Sequence, residues 1–383
     1  LFILGGSMAA HARQHGQPHS DAKAAAPTAP ASGAIVMAGG IFVLAALQRI
    51  PGGPGVPTDC AALALIGTWA FLAWVFARAV HARQLPNSHP AANFAMGTWV
   101  AATAILAEVM MLAFPRARPV ALAFAGLATG LWGWYLWIAA RGFRELVDEH
   151  GQVPVTGTVL LTAVSTQSLV LAWQSTLPHG LPLPVSRSLL ALGLLLYLVG
   201  AALIGFGLGS PRTWTLLADW RAPRCILHGA LSITGLATLT TRAAPSQAVV
   251  GLWLLVVSLF VVVESMEVLR LGLRIRAHGW RYAVVIYHPA QWARNFTFGM
   301  LYAFTLALDH DMAAIRQDPW AAAFWGWLAR WGQYAVLVLL LAEGILLLIF
   351  LSHARWSSGS RPATGRLIPR SAFRRPPHHR THI

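Results

Sequence analysis

Charged residues are scarce in this 383-residue chain, where they make up 11% of the total. Soluble globular domains carry roughly 25%. Hydrophobic residues make up 56%, and the mean hydropathy is +0.58. So few charges cannot cover a soluble surface. The composition therefore excludes an ordinary soluble enzyme and predicts an integral membrane protein.

Acidic residues are scarcer than basic ones, with 13 Asp and Glu against 28 Lys and Arg, for a formal net charge of +15. The basic residues lie in short segments between apolar runs and near the C-terminus, and do not form a basic face on a polar domain. We therefore exclude nucleic acid as a partner. Basic segments of this kind are typical of membrane topology and of contact with anionic membrane lipids.

Cysteine is nearly absent, since the chain has only Cys60 and Cys225. The two are far apart and show no metal-ligand spacing, so we expect neither a disulfide nor a metal site. No clustered His or Asp at helix ends, no nucleophile with a base and no cofactor motif is evident. We therefore expect no cofactor and no enzymatic activity, and a membrane-embedded enzyme is the least favoured alternative.

Long apolar runs are abundant, and each is long enough to cross a hydrocarbon core of about 30 Å. They predict an all-α integral membrane protein with ten transmembrane helices in a domain spanning residues 32–351. Residues 1–31 and the basic residues 352–383 are interpreted as disordered cytoplasmic tails. The predicted spans are 32–49, 60–80, 91–114, 119–140, 153–174, 186–208, 222–241, 248–269, 290–308 and 332–351.

The distribution of arginine predicts the orientation. If both termini are cytoplasmic, the inside segments hold 20 basic residues and the outside segments hold 7. Because inside segments are enriched in Lys and Arg, this favours an even number of spans in the cell membrane with both ends inside.

The polar content of the spans alternates. The third, fifth, seventh and ninth spans carry many Thr, Ser, Asn and Gln residues, whereas the second, fourth and sixth are nearly all apolar. Polar groups are costly against lipid, so we expect the odd spans to face protein or a water-filled path. Odd spans also recur every 60 to 70 residues, about one helical hairpin each. The pattern predicts five hairpins in a ring around a central path.

Five segments carry a resemblance to a known family. They are residues 33–42 (GAIVMAGGIF), 94–106 (FAMGTWVAATAIL), 156–168 (TGTVLLTAVSTQS), 219–220 (DW) and 287–300 (YHPAQWARNFTFGM). In this order they resemble motifs of the first, third, fifth, seventh and ninth helices of the tellurite-resistance/dicarboxylate-transporter family. That family includes the plant slow anion channels, and the likeness is closest to its actinobacterial-type members.

The resemblance implies ten helices in a quasi-fivefold ring of hairpins, odd helices lining an anion pore, and often a homotrimer. It also implies a pore-blocking phenylalanine in the ninth helix, which aligns with Phe296. The family's Pro after this Phe is Thr297 here, and its Leu is Phe298. Phe298 is therefore a second candidate for the gate. Packing in the core or against lipid is the alternative for both rings.

Hydroxyl side chains form rows on the inner spans. Thr158, Thr162 and Ser165 share one face of the fifth helix, and Thr234 and Thr238 share one face of the seventh. We predict that these hydroxyls line the pore together with Thr98 and Thr297, because a neutral hydroxyl can donate to a passing anion and still release it. Hydrogen bonding between helices or back to the helix backbone is the alternative.

Ionisable residues inside the spans are a separate group of candidates. Glu108 and His228 suggest a proton relay, with burial against a neighbouring helix as the alternative. Arg221, Arg224 and Arg294 suggest a cationic vestibule that concentrates anions, with snorkelling towards lipid phosphates as the alternative.

Two further carboxylates, Glu264 and Glu267, lie near Arg270 and Arg274 on the eighth span. We favour ion pairing within that helix for both.

The leading hypothesis is transmembrane passage of small inorganic or carboxylate anions, such as dicarboxylate, sulfite, tellurite, halide or nitrate. Phe296 gates a pore that the odd helices line. The alternative is a proton-coupled C4-dicarboxylate carrier or oxyanion efflux system that uses Glu108 or His228.

Overall fold

The computed structural model describes residues 30–82, 93–148, 155–208, 215–220, 222–311 and 318–359. It is helical throughout these ranges, which confirms the all-α class. The ten long helices are α1 (Gly33–Ile41), α2 (Val56–His81), α3 (Gly97–Ala113), α4 (Arg118–Asp148), α5 (Leu161–Thr176), α6 (Leu183–Leu208), α7 (Ile226–Thr240), α8 (Ser246–His278), α9 (Ala290–Ala307) and α10 (Pro319–Gly359). Within these ranges, α1 continues through a π-helical segment, Phe42–Ala46, and a 3₁₀ turn, Leu47–Arg49.

Each of the ten predicted segments holds one of these helices, but α10 is much longer than predicted. It begins at Pro319 and ends at Gly359, whereas the predicted span was 332–351. Proline is well tolerated at the first helical position, where its missing N–H has no partner to lose. Trp320 and Trp327 in the added turns are exposed, and Arg330 separates these turns from the predicted span. The helix also includes residues 352–359, and the rest of the two predicted tails lies outside the described residues.

Seven helices of the described chain are long and apolar enough to cross a membrane, against ten predicted. They are α1 with its extension, α2, α3, α4, α6, α8 and α10. The remaining long helices, α5, α7 and α9, occupy the predicted positions but are not among the seven. Their Ser, Thr, Gln, Asn and His residues lower the hydropathy below that of a lipid-exposed span. These apolar helices indicate a membrane-embedded protein.

Burial alternates along the chain in the same way as the polar content. In α5, 13 of the 16 residues are buried, whereas only four of the 26 residues of α2 are. The most apolar window of α3 is 78% buried, and that of α10 is 11% buried. The even helices also expose large apolar side chains, including Phe71, Trp137, Leu195, Val262 and Leu348. These exposed apolar faces are what contact with lipid requires.

The odd helices contact one another in a closed series. Helix α1 packs against α3, α3 against α5, α5 against α7, α7 against α9, and α9 against α1. Each even helix packs against an odd neighbour: α2 and α4 against α3, α6 against α5, α8 against α7, and α10 against α9.

The odd helices also begin at the same end of the molecule. Short 3₁₀ turns precede α1 (Pro30–Ser32), α3 (Phe94–Met96), α5 (Gly157–Leu160) and α7 (Ala222–Cys225). Each turn contacts the next one in this order, and the last contacts α9. The five helices therefore run parallel to one another from this common end.

Glycine residues allow the odd helices to approach one another closely. A side chain at Gly33 on α1 would place its Cβ 2.8 Å from the backbone carbonyl of Thr98 on α3. Such contacts recur around the series: a Cβ would overlap its neighbour at Gly157 (Pro223), Gly229 (Thr297) and Gly299 (Ile41). At Gly97 it would lie 2.7 Å from Tyr135 of α4 and 3.0 Å from Leu161 of α5. Small residues are the usual means by which helices in a membrane approach closely.

Tryptophans on three even helices donate hydrogen bonds to threonines on the following odd helix. The pairs are Trp69 to Thr103 (3.1 Å), Trp132 to Thr166 (3.0 Å) and Trp253 to Thr305 (3.0 Å). Each threonine hydroxyl in turn donates to the carbonyl four residues earlier in its own helix. The indole N–H is thereby satisfied inside the protein, and an outer helix is fixed to an inner one.

Candidate functional site

A cavity of about 290 Å³ lies between the five odd helices. Every odd helix contributes to its wall. The wall includes Ile41 from α1, Glu108 from α3, Ser168 from α5, Ile233 from α7 and Phe296 from α9. The first wall residue lies six to eight residues after the start of its helix in every case. The cavity therefore begins at one common level and extends towards the far ends of the five helices.

Phe296 marks the beginning of this cavity on α9. It is the wall residue nearest to the start of the helix, and Met300, Ala303 and Leu306 follow at helical spacing along the same face. Its side chain is 3% exposed. The ring is thus held inside the helix series at the level where the cavity begins.

Phe298, the second gate candidate, points in another direction. Its ring packs edge-on against Phe260 of α8, with centroids 5.1 Å apart, and against His228 of α7, at 6.3 Å. It does not belong to the described wall of the central cavity. The structure therefore separates the two phenylalanines onto different faces of α9.

Glu108 is the ionisable residue of the described cavity wall. The rest of the wall is mainly apolar, apart from the hydroxyls of Ser168 and Thr240. Among the described residues, the ion pairs of the chain lie elsewhere and none involves Glu108. An anion in the cavity would therefore meet one carboxyl group and no cation on the described wall.

The hydroxyls that we predicted to line the pore are engaged with nearby groups in their own segments. Four of them donate to carbonyls three or four residues earlier: Thr162 to Val159 (2.8 Å), Ser165 to Thr162 (3.1 Å), Thr234 to Ala230 (2.7 Å) and Thr238 to Thr234 (2.7 Å). Thr98 donates to Ala95 and Thr297 to Arg294, while Thr158 shares a hydrogen bond with Thr156.

None of these seven residues belongs to the described cavity wall, whose hydroxyls are Ser168 and Thr240. Both were visible in the sequence as polar residues of inner spans. Ser168 also lies three residues after Ser165, so the helical spacing alone did not separate the two. Only the packing of the neighbouring helices does.

A cluster of charged residues joins α7, α8 and α9 near the common end of the odd helices. Arg294 on α9 donates to Oε2 of Glu264 on α8 through Nη2 and through Nε, the latter at 3.1 Å. The Nε2 atom of His228 on α7 lies 3.7 Å from the other oxygen of Glu264. His228 is fully buried, and neither of its ring nitrogens has a hydrogen-bond partner among the described residues.

Glu267 extends this cluster by one helical turn. It accepts hydrogen bonds from Trp220 (2.9 Å) and Arg270 (3.1 Å), and Arg294 lies 3.8 Å from it. The predicted pairing within α8 is therefore correct for Glu267 and Arg270. It is wrong for Glu264, whose partner is an arginine on another helix that no sequence spacing could reveal.

The structure does not bring Glu108 and His228 together. His228 lies two residues after the start of α7, and Glu108 lies eleven residues after the start of α3. Since the two helices run parallel, this difference corresponds to about 14 Å along the axis. A direct proton transfer between the two is not possible in this arrangement.

The three arginines predicted to form a vestibule have different surroundings. Arg294 is paired with Glu264, as described above. The guanidinium of Arg224 lies over the ring of Trp220, 4.9 Å from its centroid. Arg221 lies outside the described residues.

A comparison of the chain with protein-family models, with curated proteins and with solved structures finds no match. The geometry of the helices and of the central cavity is therefore what bears on function.

Proposed function

We propose that this chain passes small anions across a membrane along the axis between α1, α3, α5, α7 and α9. All ten helices cross the bilayer, and the five odd helices form an inner ring within the five even ones. The closed series of contacts and the alternation in burial support this arrangement. The lower hydropathy of α5, α7 and α9 fits it as well, because helices that face protein need not be apolar.

The observation that carries this proposal is the cavity to which every odd helix contributes and which begins at Phe296. An aromatic ring across a narrow apolar passage excludes ions by dewetting, and a rotamer change is enough to move it aside. Phe296 is accordingly the gate. Phe298 packs against the outer helix α8 and serves to hold α9 in place.

The composition of the cavity wall narrows the substrate class. A permeating anion has to lose hydration in an apolar passage, and this costs least for large, weakly hydrated monovalent ions. We therefore expect nitrate and thiocyanate to pass more readily than chloride, and sulfate to pass least. The formal charge of +15 on the whole chain favours anions over cations at the entrances.

Anion flux through liposomes that contain the purified protein tests the gate. Removing the ring in Phe296→Ala opens the passage, so we expect nitrate flux to rise at least about tenfold, equivalent to removing about 1.4 kcal/mol from the barrier. Phe71→Ala is the matched control, since Phe71 is exposed on the outer face of α2. Folded Phe296→Ala protein with the low flux of the parent chain would contradict the proposal, as would an equal rise in Phe71→Ala.

A second candidate function is proton-coupled transport, which the sequence suggested through a proton relay of Glu108 and His228. The position of Glu108 on the cavity wall favours it, whereas His228 lies at another level. The coupled alternative therefore depends on Glu108 alone.

A further inference from the structure

Helix α9 presents different residues on two opposite faces. Phe296 faces the central cavity. Arg294 and Phe298, four residues apart, share one face, and Phe296 lies about 200° around the helix from each of them. The face that carries Arg294 and Phe298 contacts α7 and α8. Any rotation of α9 that moves Phe296 out of the cavity must therefore disturb the contacts on the opposite face.

The strongest polar contact on that face is the pair between Arg294 and Glu264. Two N–H groups of the guanidinium donate to one carboxylate oxygen, and both side chains are largely shielded from solvent, with 17% and 14% of their surface exposed. Hydrogen bonds in which both partners are charged are stronger than neutral ones. A charge at this depth also needs its counter-charge close by.

The surroundings limit how Glu264 can move. His228 lies on one side of its carboxylate, at 3.7 Å, and Phe260, one turn earlier on α8, packs against both His228 and Phe298. The backbones of α8 and α9 approach each other closely at few points, whereas α9 packs closely against α7 and α1. Two other polar contacts join α8 and α9: Arg294 lies 3.8 Å from Glu267, and Trp253 donates to Thr305 further along the helix. Glu264 makes the closest charged contact of α8 with the helix that carries Phe296.

We propose that Glu264 is a positioning residue for the gate: by holding Arg294 it fixes the rotation of α9 that places Phe296 in the central passage. This rests on the proposed function, in which Phe296 closes that passage. Loss of the carboxylate charge releases α9 and raises flux through the closed state, although Glu264 itself lies outside the cavity.

The test is a cycle of flux measurements in liposomes with nitrate as the probe. Glu264→Gln keeps the shape of the side chain and removes its charge. We expect it to raise flux by about two- to thirty-fold, the range that couplings between distant sites usually produce. Glu145→Gln removes the same charge from an exposed position on α4 and is expected to leave the flux unchanged.

The double variant of Glu264→Gln with Phe296→Ala separates positioning from a general loosening of the protein. If Glu264 acts through the Phe296 ring, its replacement adds nothing once the ring is gone. A further rise of the same size in the double variant would overturn the proposal, and so would an unchanged flux in folded Glu264→Gln. Flux that stays low in Phe296→Ala alone would instead overturn the proposed function.

A charge exchange covers the case in which Glu264→Gln does not fold. The variant with Glu264→Arg and Arg294→Glu keeps an ion pair between α8 and α9, and we expect it to restore folding and low flux together. Arg294→Lys, which retains the charge but loses the two-pronged donor, is expected to raise flux like Glu264→Gln. High flux in the exchanged pair, or low flux in folded Arg294→Lys, would contradict the role of this contact.

Discussion

In the proposed anion passage, we expect Glu108 to control which solutes enter the central cavity. Its carboxyl group shares a space of about 290 Å³ with any solute, and two unit charges 4 Å apart interact by about 4 kcal/mol in surroundings of intermediate polarity. With a proton on Glu108 this repulsion disappears, and the carboxyl group becomes a hydrogen-bond donor for the anion. An anion therefore enters most easily when Glu108 is protonated.

This gives the conductance a pH dependence with a definite sign. In the Phe296→Ala background, where flux is high enough to measure, we expect nitrate flux to fall as the pH rises and Glu108 loses its proton. Glu108→Gln, which stays neutral, should remove this dependence and keep flux near the acidic level. The measurement is the initial rate of nitrate entry into liposomes buffered at a series of pH values.

Glu145→Gln is the control for this series, because it removes a carboxylate that is exposed to solvent on α4. It should retain the pH profile of its parent. A profile that survives in Glu108→Gln, or a flux that rises with pH, would show that Glu108 does not control entry.

At the level of single residues, the sequence pointed to a phenylalanine of the cavity wall, Phe296, but not to most of the other wall residues. Phe296 and Phe298 are two residues apart, so the family resemblance makes both of them candidates for the gate. Only the structure distinguishes the two, because Phe298 packs against His228 and Phe260. The hydroxyls failed as indicators because Ser and Thr in a helix commonly bond to a carbonyl three or four residues earlier. Most of the cavity wall is apolar, and its Ile, Leu and Met residues look in the sequence like any residue that faces lipid.

At the level of helices, alternation in polarity was informative because it has a direct physical cause. A helix enclosed by other helices, such as α5, tolerates Thr166 and Gln167, whereas a helix against lipid does not. The same cause explains why hydropathy alone assigns seven spans. Helix ends were harder to predict, as the early start of α10 at Pro319 shows, because Arg330 separates the tryptophan-rich residues 319–329 from the apolar run that was predicted as the tenth span.

The glycines of the inner helices form a pattern that the sequence contains but that we did not recognise. Gly33, Gly97, Gly157, Gly229 and Gly299 follow one another at intervals of 60 to 72 residues, one for each odd helix. We expect Gly33→Ala to lower the stability of the folded protein by about 1–3 kcal/mol, the usual cost of overpacking. The reason is that the added Cβ meets the backbone of Thr98, which cannot rotate away.

Thermal unfolding of the purified protein in detergent measures this effect. Gly251→Ala on α8 is the matched control, since nothing lies within 4 Å of a Cβ placed there. It should be neutral or stabilise the helix by up to about 1 kcal/mol, because alanine favours the helix more than glycine does. Equal unfolding midpoints for the two variants would show that glycine is not what brings α1 and α3 together.

On the scale of the whole molecule, the arginine distribution predicts that the common end of the odd helices lies on the inside of the membrane. At that end, Arg141 lies over the ring of Trp137, 3.6 Å from its centroid, and Arg78 lies 5.0 Å from that of Trp74. Arginine and tryptophan are both enriched where a helix leaves the hydrocarbon for the headgroups. A homotrimer remains a prediction, and its test is the mass of the detergent-solubilised particle.

The number of crossings is open to a direct test, because ten spans and seven spans place position 179 on different sides, whereas positions 145 and 247 lie on the same sides in both cases. Single cysteines replace Glu145 in the last turn of α4, His179 after α5 and Gln247 in the first turn of α8. The chain's own cysteines, Cys60 and Cys225, are changed to Ser. All three replaced side chains are exposed. With ten spans, position 145 lies inside, and positions 179 and 247 lie outside. A membrane-impermeant thiol reagent added to intact cells should therefore label the last two only.

Labelling after the membrane is opened serves as the control, because all three cysteines should then react. Helix α5 is the decisive element: it is among the most buried helices and is not among the seven apolar spans, yet it is the long helix that the described residues place between positions 145 and 179. If α5 did not cross, positions 145 and 179 would lie on the same side of the membrane. The five parallel inner helices could then not run along the bilayer normal. The cavity between them could not be a path through the membrane. Labelling from outside at position 179, with none at position 145, would support the transport proposal. Absence of labelling at position 179 from outside would contradict it.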